Sequence, residues 1–404
     1  MNKLFLVSWN VTKRCNLRCA HCYLGASELD NGKNELSTSE GKALINQIAE
    51  INPNAMLVFS GGEPLMRQDL LELIRYAADR DLMAVLGTNG TLVDEEMARK
   101  LLESGISGVG ISLDSLDPEK HDTFRGVKGA WKGAVRGIDA CKKIGLEFQV
   151  QTTVTKENFK EIPELIKYAS DMGAKAFNLF FLVCTGRGHE MTDISPAQYE
   201  KMLIYLAEVQ SKYGMMVRAR CAPHFRRIIS SRDTGAMSMR GFIAGCMAGT
   251  CYCRITPNGD VTPCPYLPIE LGNVRRLELA EIFESSMVLR SLRNPRLKGK
   301  CSICEFASLC GGCRARAFAI LGDYLEEDPL CLYKPTGKKR SIKKREEGLV
   351  WSDAAKERMK VIPGFLREVV RRRVELYALE SGHREITPEL LKEKLIWRGT
   401  DETN

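Results

Sequence analysis

Three cysteines near the amino end of the chain, Cys15, Cys19 and Cys22, have the spacing C-x3-C-x2-C. Thiolates are the usual protein ligands of iron–sulfur clusters, and a [4Fe–4S] cluster usually takes four of them. Three thiolates in one short loop would therefore leave one iron open to a substrate or a cofactor. The alternatives are a zinc site that has His21 as its fourth ligand, or thiols that bind nothing.

Nine further cysteines in the second half of the chain include two C-x2-C pairs. They are Cys246, Cys251, Cys253, Cys264, Cys301, Cys304, Cys310, Cys313 and Cys331. In a reducing compartment, paired spacings among so many thiols indicate metal sites rather than disulfides. A pair of zinc sites is the alternative. Cys184 lies outside this set and is predicted to be a buried thiol rather than a ligand.

Short polar and glycine-containing segments complete the residues that could do chemistry. They are Ser60-Gly61-Gly62-Glu63-Pro64, Thr88-Asn89-Gly90-Thr91, Ser112-Leu113-Asp114 and Arg125. Glycine lets a ligand approach the backbone closely, and a planar guanidinium can hold a carboxylate through two hydrogen bonds. Tight turns are the alternative for the first two segments, and Asp114 could instead cap the helix that follows it.

The elements that must position these residues alternate between strand and helix from residue 4 to about 215. Predicted strands are Leu4–Ser8, Met56–Phe59, Leu82–Leu86, Ser107–Ser112, Leu146–Thr153 and Ala176–Val183. Predicted helices begin at the capping box Ser37–Glu40 and at Ser195-Pro196, and others cover Gln68–Asp79, Asp94–Glu103 and Phe159–Met172. This alternation predicts a parallel sheet, either a barrel or an open doubly wound sheet. In both, functional residues collect at the carboxyl ends of the strands.

The rest of the chain is predicted to form three parts. Residues 216–335 hold ten of the fifteen cysteines and few long periodic segments, which is typical of a small domain held together by metals. Residues 336–348 are predicted to be a basic linker. Residues 349–404 are predicted to be a helical module, in which Val369, Val370, Val374 and Tyr377 recur at helical spacing.

The composition of the 404-residue chain, 44% hydrophobic and 27% charged, is that of an ordinary globular protein. No apolar run reaches the ~18–20 residues of a membrane span, and the first residues lack the features of a signal peptide. We therefore expect a cytoplasmic protein without a membrane partner. The net charge of +8 arises partly from the basic runs at 338–340 and 343–345. A solvated linker explains these runs better than nucleic-acid binding.

The cysteine triplet, the aromatic Tyr23 after it and the Gly-Gly-Glu-Pro segment resemble the radical S-adenosylmethionine (SAM) enzymes over roughly residues 1–215. The resemblance implies an α/β fold, a partial (β/α)6 TIM-like barrel. It also implies a [4Fe–4S] cluster whose open iron chelates SAM, a 5′-deoxyadenosyl radical, and a low-potential electron donor such as ferredoxin or flavodoxin. The SAM contacts that it implies are Gly61, Gly62, Glu63, Pro64, Asn89, Ser112, Asp114, Arg125, Leu182 and Val183, with Thr153 and Asn158 also facing the site.

The second cysteine set resembles the SPASM domain, a C-terminal extension of many radical SAM maturases that carries two auxiliary [4Fe–4S] clusters. The resemblance implies one cluster on Cys246, Cys264 and Cys313, with Cys251 or Cys253 as the fourth ligand. It implies a second cluster on Cys301, Cys304, Cys310 and Cys331. The chain departs from the family pattern in the gap between Cys310 and Cys313, which is two residues rather than three, and in one spare cysteine. One or two auxiliary clusters are therefore expected.

Two segments, Arg220–Phe225 and Cys264–Pro268, are similar to the radical SAM enzymes of haem d1 biosynthesis and of the alternative haem b pathway. Residues from Trp351 to about Leu395, including the turn Ile362–Phe365, resemble the small C-terminal domain of a light-independent protochlorophyllide reductase subunit. Both resemblances imply a tetrapyrrole substrate, whose side chains would be oxidatively decarboxylated or removed.

Several side chains have two interpretations on this hypothesis. His224 is either an axial ligand to a tetrapyrrole iron or a hydrogen-bonded structural residue. Arg187, Arg226 and Arg227 either pair with tetrapyrrole carboxylates or are solvated at the surface. Two rival functions remain at this point. One is a maturase that oxidises or cross-links a peptide or protein, and the other is a non-catalytic iron–sulfur electron carrier or a zinc-stabilised interaction module.

Overall fold

The computed structural model describes residues 4–191, 194–210, 212–231, 245–337, 349–360, 371, 374–375, 378 and 383–394. The described residues form two compact units. The first contains the residues described up to 231 and from 245 to 337, and the second contains the residues described from 349 onward. Among the described residues, no helix is both long enough and apolar enough to cross a membrane.

The first unit is built on a mostly parallel sheet, as the alternation of strands and helices predicts. Seven strands follow one another in the order of the chain, each parallel to the last: β1 (Leu6–Thr12), β2 (Met56–Gly61), β3 (Met83–Thr88), β4 (Gly108–Ser112), β5 (Phe148–Val154), β6 (Ala176–Phe181) and β7 (Met216–Arg220). On the other side of β1 the sheet continues with β8 (Tyr252–Ile255), which is parallel to β1. Two antiparallel strands, β9 (Asp260–Thr262) and β10 (Gly272–Asn273), complete it.

The helices of the first unit lie between these strands and after them. They are α1 (Thr38–Ile51), α2 (Leu70–Ala78), α3 (Glu95–Glu103), α4 (Pro118–Arg125), α5 (Ala130–Ile144), α6 (Ile162–Asp171), α7 (Pro196–Val209), α8 (His224–Ser231), α9 (Leu279–Ser285), α10 (Met287–Arg293) and α11 (Arg314–Leu321). The predicted capping box is confirmed, because Ser37 accepts the Glu40 amide while the Glu40 side chain accepts the Ser37 amide. Ser195 caps α7 in the same way, with Gln198 as its partner.

The two faces of the sheet differ in chemistry. Side chains alternate between faces along a strand. One face buries apolar residues such as Trp9, Phe59 and Phe177 in the main core. The opposite face, which we call the inner face, carries polar side chains instead: Ser8, Asn10, Ser60, Asn178, Arg218, Arg220 and Arg254. Because parallel strands are usually apolar on both faces, this pattern indicates a surface that faces a ligand rather than a packed core.

The sheet extends past residue 215, where the sequence predicts the end of the barrel. Strand β7 pairs with β6, and Arg220 lies opposite Phe180. Strand β8 pairs with β1 and brings Cys253 opposite Val7 in the main core. The cysteine-rich region therefore shares a sheet and a core with the preceding strands. The predicted domain boundaries themselves stay a proposal.

The second unit is not purely helical. It contains α12 (Asp353–Lys360), α13 (Pro388–Lys394) and two short strands, β11 (Val350–Trp351) and β12 (Glu385–Ile386), which pair in parallel. Its small core includes Ala355, Met359, Ala378 and Leu391. The predicted basic linker from residue 338 to 348 and the predicted turn Ile362–Phe365 lie outside the described residues.

Candidate functional site

The cysteine triplet lies in the loop that follows β1, at the carboxyl edge of the sheet. Cys15 is buried and Cys19 and Cys22 are half-buried. Arg187 fixes the loop, since its Nε donates to the Cys19 carbonyl at 3.0 Å and its Nη1 to the Ala26 carbonyl at 2.8 Å. Burial is the main cause that raises the pKa of the Cys15 thiol to about 12, and the nearby Glu63, Cys19 and Cys22 contribute in the same direction. Such a thiol is neutral until a metal cation takes the place of its proton.

The chemistry of this donor set fits an iron–sulfur cluster better than zinc. The His21 ring stacks on Phe124 with centroids 4.5 Å apart and nearly parallel planes, so it packs as an aromatic ring. The loop then offers three neighbouring thiols, because Cys19 and Cys22 contribute to the raised pKa of Cys15 and Cys22 contributes to that of Cys19. Among the described residues, no three His, Cys, Asp or Glu side chains already converge on one point. The thiolate ligands of a cubane lie further apart than the ligands of a single metal ion. Thiols that lie in the same neighbourhood are therefore the candidate ligands of one cluster.

Arg125 and Asp114, both predicted SAM contacts, form a buried ion pair. Arg125 Nε and Nη2 lie 2.7 and 2.5 Å from Asp114 Oδ2. Arg125 Nη1 points to the Cys19 Sγ at 3.7 Å, which places positive charge beside a cluster thiol. Asp114 also accepts the Thr153 amide at 2.8 Å. Asp114 is not the cap of α4, because Asp117 accepts the amides at the start of that helix.

The glycine-rich turn after β2 is shaped by its contact with the cysteine loop. A Cβ on Gly61 would overlap the Thr12 carbonyl, and one on Gly62 would overlap the Arg14 carbonyl. Gly61 has a φ of +148°, which a side chain would rarely allow. The Gly62 and Glu63 amides donate to the Thr12 and Arg14 carbonyls, each at 2.8 Å. These glycines therefore hold the turn directly against the backbone that leads to Cys15.

Glu63 is fully buried, and its carboxylate accepts hydrogen bonds from other groups of the chain. Its carboxylate accepts the Thr88 hydroxyl at 2.7 Å, the Asn89 amide at 2.8 Å and the Leu65 amide at 3.2 Å. Asn89 in turn donates to Asn16 at 2.9 Å, beside Cys15. Glu63 thus connects the ends of β2 and β3 to the cysteine loop. Its predicted role in positioning SAM stays a proposal, and Pro64 follows it at the start of a single 3-10 turn.

A pH prediction follows from Glu63. Burial is the main cause that raises its pKa from 4.5 to about 7. Its contribution to folding stability is therefore fully present below about pH 4.5 and is lost as the pH rises through 7. At about 1.4 kcal/mol per pKa unit the total is about 3 kcal/mol. Without SAM, the melting temperature of the wild type should fall more between pH 6 and pH 8 than that of Glu63→Gln. Equal falls would contradict the prediction, and Glu72→Gln on the exposed side of α2 is the control.

The remaining predicted SAM contacts lie at the same edge of the sheet. Ser112 ends β4, opposite Gln151 of β5. Leu182 and Val183 follow β6 and are buried. The Leu182 carbonyl accepts Arg316 Nη2 at 3.3 Å. Asn158 donates from its amide group to the carbonyls of Asp114 and Thr153, at 2.8 Å each. The carboxyl ends of β1 to β6 thus collect the predicted contacts, while each SAM contact itself remains a proposal.

One quartet of the second cysteine set surrounds a single cavity. Cys301, Cys304, Cys310 and Cys331 line about 340 Å³ of empty space that is partly open to solvent. Phe306 and Tyr333 also border it, and their rings pack edge to face at 5.3 Å. These are the four cysteines that the SPASM resemblance assigns to one cluster, and the cavity shows that they share one space. As ligands they remain proposed.

A second group of thiols lies beside the barrel. Burial raises the pKa of Cys264 well above its usual value, and the thiols of Cys246, Cys313 and Cys221 raise it further. Burial raises the pKa of Cys251 as well, and Cys246 is the one thiol of this group that contributes to the rise. Burial alone raises the pKa of Cys253, whose side chain packs in the main core. The cysteine spacing assigns no ligand role to Cys221, which precedes the nine cysteines of the second set.

A buried ion pair joins this second group to the barrel. Arg316 Nη1 lies 3.0 Å from Asp328 Oδ2, and both side chains are almost fully excluded from solvent. The same Asp328 oxygen accepts the Cys313 amide at 2.8 Å. Arg316 Nη2 reaches the Cys221 carbonyl at 3.1 Å as well as the Leu182 carbonyl. The sequence gives no local signal for this pair.

Three arginines on the inner face have no carboxylate partner among the described residues. Arg220 Nε donates to Asn178 at 3.0 Å, and Arg254 Nε donates to Asn10 at 2.5 Å. Arg218 donates to the Met216 sulfur at 3.0 Å. Burial is the main cause that lowers the pKa of Arg218 to about 10, and the neighbouring Arg220 contributes in the same direction. The alternation Arg-Ala-Arg at 218–220 is the sequence signal for these two residues.

Arg187, Arg227 and His224 contact groups of the protein itself. Arg187 binds the cysteine loop as described, and Arg227 forms an ion pair with Glu200 at 2.6 Å. His224 is 1% exposed and its Nδ1 lies 2.8 Å from the Tyr199 hydroxyl. The interpretation of His224 as a hydrogen-bonded structural residue therefore fits the structure. Cys184, predicted to be a buried thiol, is half-buried, and its Sγ lies 3.6 Å from the Met191 carbonyl.

A parallel barrel that presents a three-thiol loop at its carboxyl edge, with further thiol groups beside it, defines a SAM-dependent iron–sulfur enzyme. Comparison with known proteins agrees. Residues 9–169 match the Radical SAM superfamily, residues 246–305 match an iron-sulfur cluster-binding domain, and residues 351–394 match the Proto-chlorophyllide reductase 57 kD subunit. A solved structure of Streptococcus suis SuiB bound to S-adenosylmethionine has the same fold, with a TM-score of 0.67 at 18% identity over 82% of this chain and 77% of that one.

Curated relatives cover most of the chain. An AdoMet-dependent heme synthase of Methanosarcina barkeri is 44% identical over 343 residues, which span 83% of this chain and 97% of that protein. A Pre-heme d1 synthase of Dinoroseobacter shibae is 32% identical and spans 81% of this chain and 85% of that protein. The chain therefore belongs to the radical SAM superfamily. The predicted fold class, SAM and the [4Fe–4S] clusters are confirmed, and the protein is an enzyme rather than an electron carrier.

Proposed function

We propose that this radical SAM enzyme modifies the carboxylate side chains of a tetrapyrrole in haem synthesis, by oxidative decarboxylation or side-chain removal. The observation that carries the proposal is the 44% identity with an AdoMet-dependent heme synthase over nearly the whole of that relative. A peptide cyclase of Granulibacter bethesdensis is more distant, at 28% identity. Peptide maturation is therefore the second candidate function.

The charge of the inner face supports this choice of substrate. Burying a cation without an anionic partner is costly, so buried guanidinium groups that lack a carboxylate indicate that an anion binds there. Arg254 is such a buried group, and the half-buried Arg218 and Arg220 likewise have no carboxylate partner among the described residues. A tetrapyrrole with propionate side chains carries several carboxylates, each suited to a guanidinium. The rings of Tyr23 and Tyr266, 5.2 Å apart, offer an aromatic surface for a flat macrocycle.

The chemistry divides between the cofactors and the chain. When bound, SAM and the cluster supply the 5′-deoxyadenosyl radical that removes a hydrogen atom from the substrate. The arginines of the inner face hold the carboxylates, and the Asp114–Arg125 pair keeps positive charge beside Cys19. In a decarboxylation, loss of one hydrogen atom, carbon dioxide and one electron converts a propionate to a vinyl group. The remaining electron needs an acceptor. An auxiliary iron–sulfur cluster bound by the cysteine-rich region can be that acceptor.

The test uses anaerobically reconstituted protein with dithionite and SAM. With iron coproporphyrin III we expect 5′-deoxyadenosine and a tetrapyrrole that has lost carbon dioxide and hydrogen by mass spectrometry. Unchanged tetrapyrrole, together with modification of a peptide encoded beside this protein, would refute the proposal. We further propose that the protein is cytoplasmic and that ferredoxin or flavodoxin supplies the electron for SAM cleavage.

The inner-face arginines give a residue-level prediction. Arg218→Gln and Arg220→Gln should each raise KM for the tetrapyrrole about 10- to 100-fold, because a hydrogen bond between charged groups contributes about 1.5–3 kcal/mol. SAM cleavage in the absence of substrate should stay within about twofold of the wild type. Arg99→Gln, an exposed residue of α3, is the control. Unchanged KM in both inner-face variants would show that the substrate carboxylates bind elsewhere.

A further inference from the structure

We propose that Cys221 is a ligand of the auxiliary iron–sulfur cluster on Cys246, Cys264 and Cys313. The spacing pattern offers Cys251 or Cys253 for the fourth position and says nothing of Cys221. The proposal concerns residues of this chain and does not depend on which substrate the enzyme takes.

The first argument is the surroundings of the thiol. Cys221 directly follows β7 and is half-buried beside the main core, to which Cys246, Cys264 and Cys313 also belong or pack. Its carbonyl accepts Arg316, whose ion-pair partner Asp328 binds the Cys313 amide. This connection ties the backbones of Cys221 and Cys313 to one buried pair. The neighbours that contribute to the raised pKa of Cys264 and Cys313 include both Cys246 and Cys221, which agrees with the same grouping.

The second argument is the backbone of Cys221. It has a φ of +56°, and Asp81 is the one other non-glycine residue with a positive φ among the described residues. Asp tolerates this conformation in turns, whereas cysteine has no such preference. Strained backbone of this kind persists where the surrounding structure requires it, and it concentrates at functional sites. A ligand role explains why a cysteine, rather than a glycine, occupies the position.

The third argument is the exclusion of Cys253. Its side chain lies on the apolar face of the sheet, in register with Val7 in β1. Burial alone raises its pKa, with no neighbouring thiol contributing. Cys253 is therefore the spare cysteine of the SPASM-like set. Cys251 is then the residue with which Cys221 must be compared. Its Sγ accepts the Thr250 hydroxyl at 3.7 Å, and Cys246 is the one thiol that contributes to its raised pKa.

The test removes the first cluster by combining Cys15→Ala, Cys19→Ala and Cys22→Ala, so that the auxiliary iron is observed by itself. In this background Cys221→Gly deletes the thiol while permitting the positive φ. We expect it to lose about four irons and four sulfides per chain, the content of one cubane. Cys221→Ser should retain the cluster with altered EPR and Mössbauer spectra, because an oxygen would replace one sulfur ligand. Cys253→Ala is the matched control and should keep all auxiliary iron.

Two outcomes would overturn the proposal. One is full iron content and unchanged spectra in Cys221→Gly, particularly if Cys251→Ala loses a cluster. The other is an equal loss of iron in the Cys253→Ala control, which would trace the loss to general instability. Loss of one cluster in Cys221→Gly but not in Cys253→Ala would support a ligand role.

Discussion

Replacing Cys15, Cys19 and Cys22 together by alanine is expected to abolish reductive cleavage of SAM. The three residues supply the thiols of the loop after β1, and among the described residues no histidine joins them in a group of converging metal ligands. Formation of 5′-deoxyadenosine from SAM and dithionite should fall to the background without protein. A loss of this size exceeds that expected from any single contact in the site, because the group that binds SAM and transfers the electron would be absent.

The triple variant should still contain its auxiliary iron. Cys301, Cys304, Cys310 and Cys331 line their own cavity, and the replaced thiols do not border it. Iron analysis and EPR of the dithionite-reduced protein measure this directly. Cys141→Ala serves as the control, because Cys141 is a buried thiol of α5 in the main core. Sustained SAM cleavage by the triple variant would rule out the assignment of the loop as the cluster site.

Asp328→Ala should be the most destabilising single substitution considered for the first unit. Asp328 is fully buried, and its carboxylate holds Arg316 at 3.0 Å and the amides of Cys313 and Leu330 at 2.8 and 3.1 Å. Its removal leaves a buried guanidinium without its counter-charge, which typically costs about 3–5 kcal/mol. The midpoint of urea unfolding should fall accordingly, and auxiliary iron should be lost because Cys313 loses its anchor.

Asp323→Ala is the matched control for this prediction. Asp323 also pairs with a cation, Lys298 at 2.6 Å, but both side chains contact solvent. An exposed pair contributes about 0–1 kcal/mol, so the urea midpoint should hardly change. Similar midpoints for Asp328→Ala and Asp323→Ala would mean that the Arg316–Asp328 pair does not stabilise the fold as its burial suggests.

The sequence determined those features that depend on local order. The capping residues Ser37 and Ser195 begin their helices through hydrogen bonds to residues three positions later. This short spacing is visible in the sequence itself. The alternation of strands and helices predicts a parallel sheet with its motifs at the carboxyl edge. The spacing of Cys15, Cys19 and Cys22 indicates a three-thiolate loop, because ligands in one loop need no other part of the fold to bring them together.

The tertiary structure decided the contacts between residues far apart in the chain. Arg187 binds the cysteine loop, and Arg316 joins Leu182, Cys221 and Asp328. Sequence alone left Arg187 and Arg227 as possible substrate contacts, whereas the structure engages both with protein groups and leaves Arg218 and Arg220 on the inner face without carboxylates. The difference has one physical cause. Spacing along the chain fixes which residues are near neighbours on one element, but the pairing and register of strands determine which distant side chains face each other.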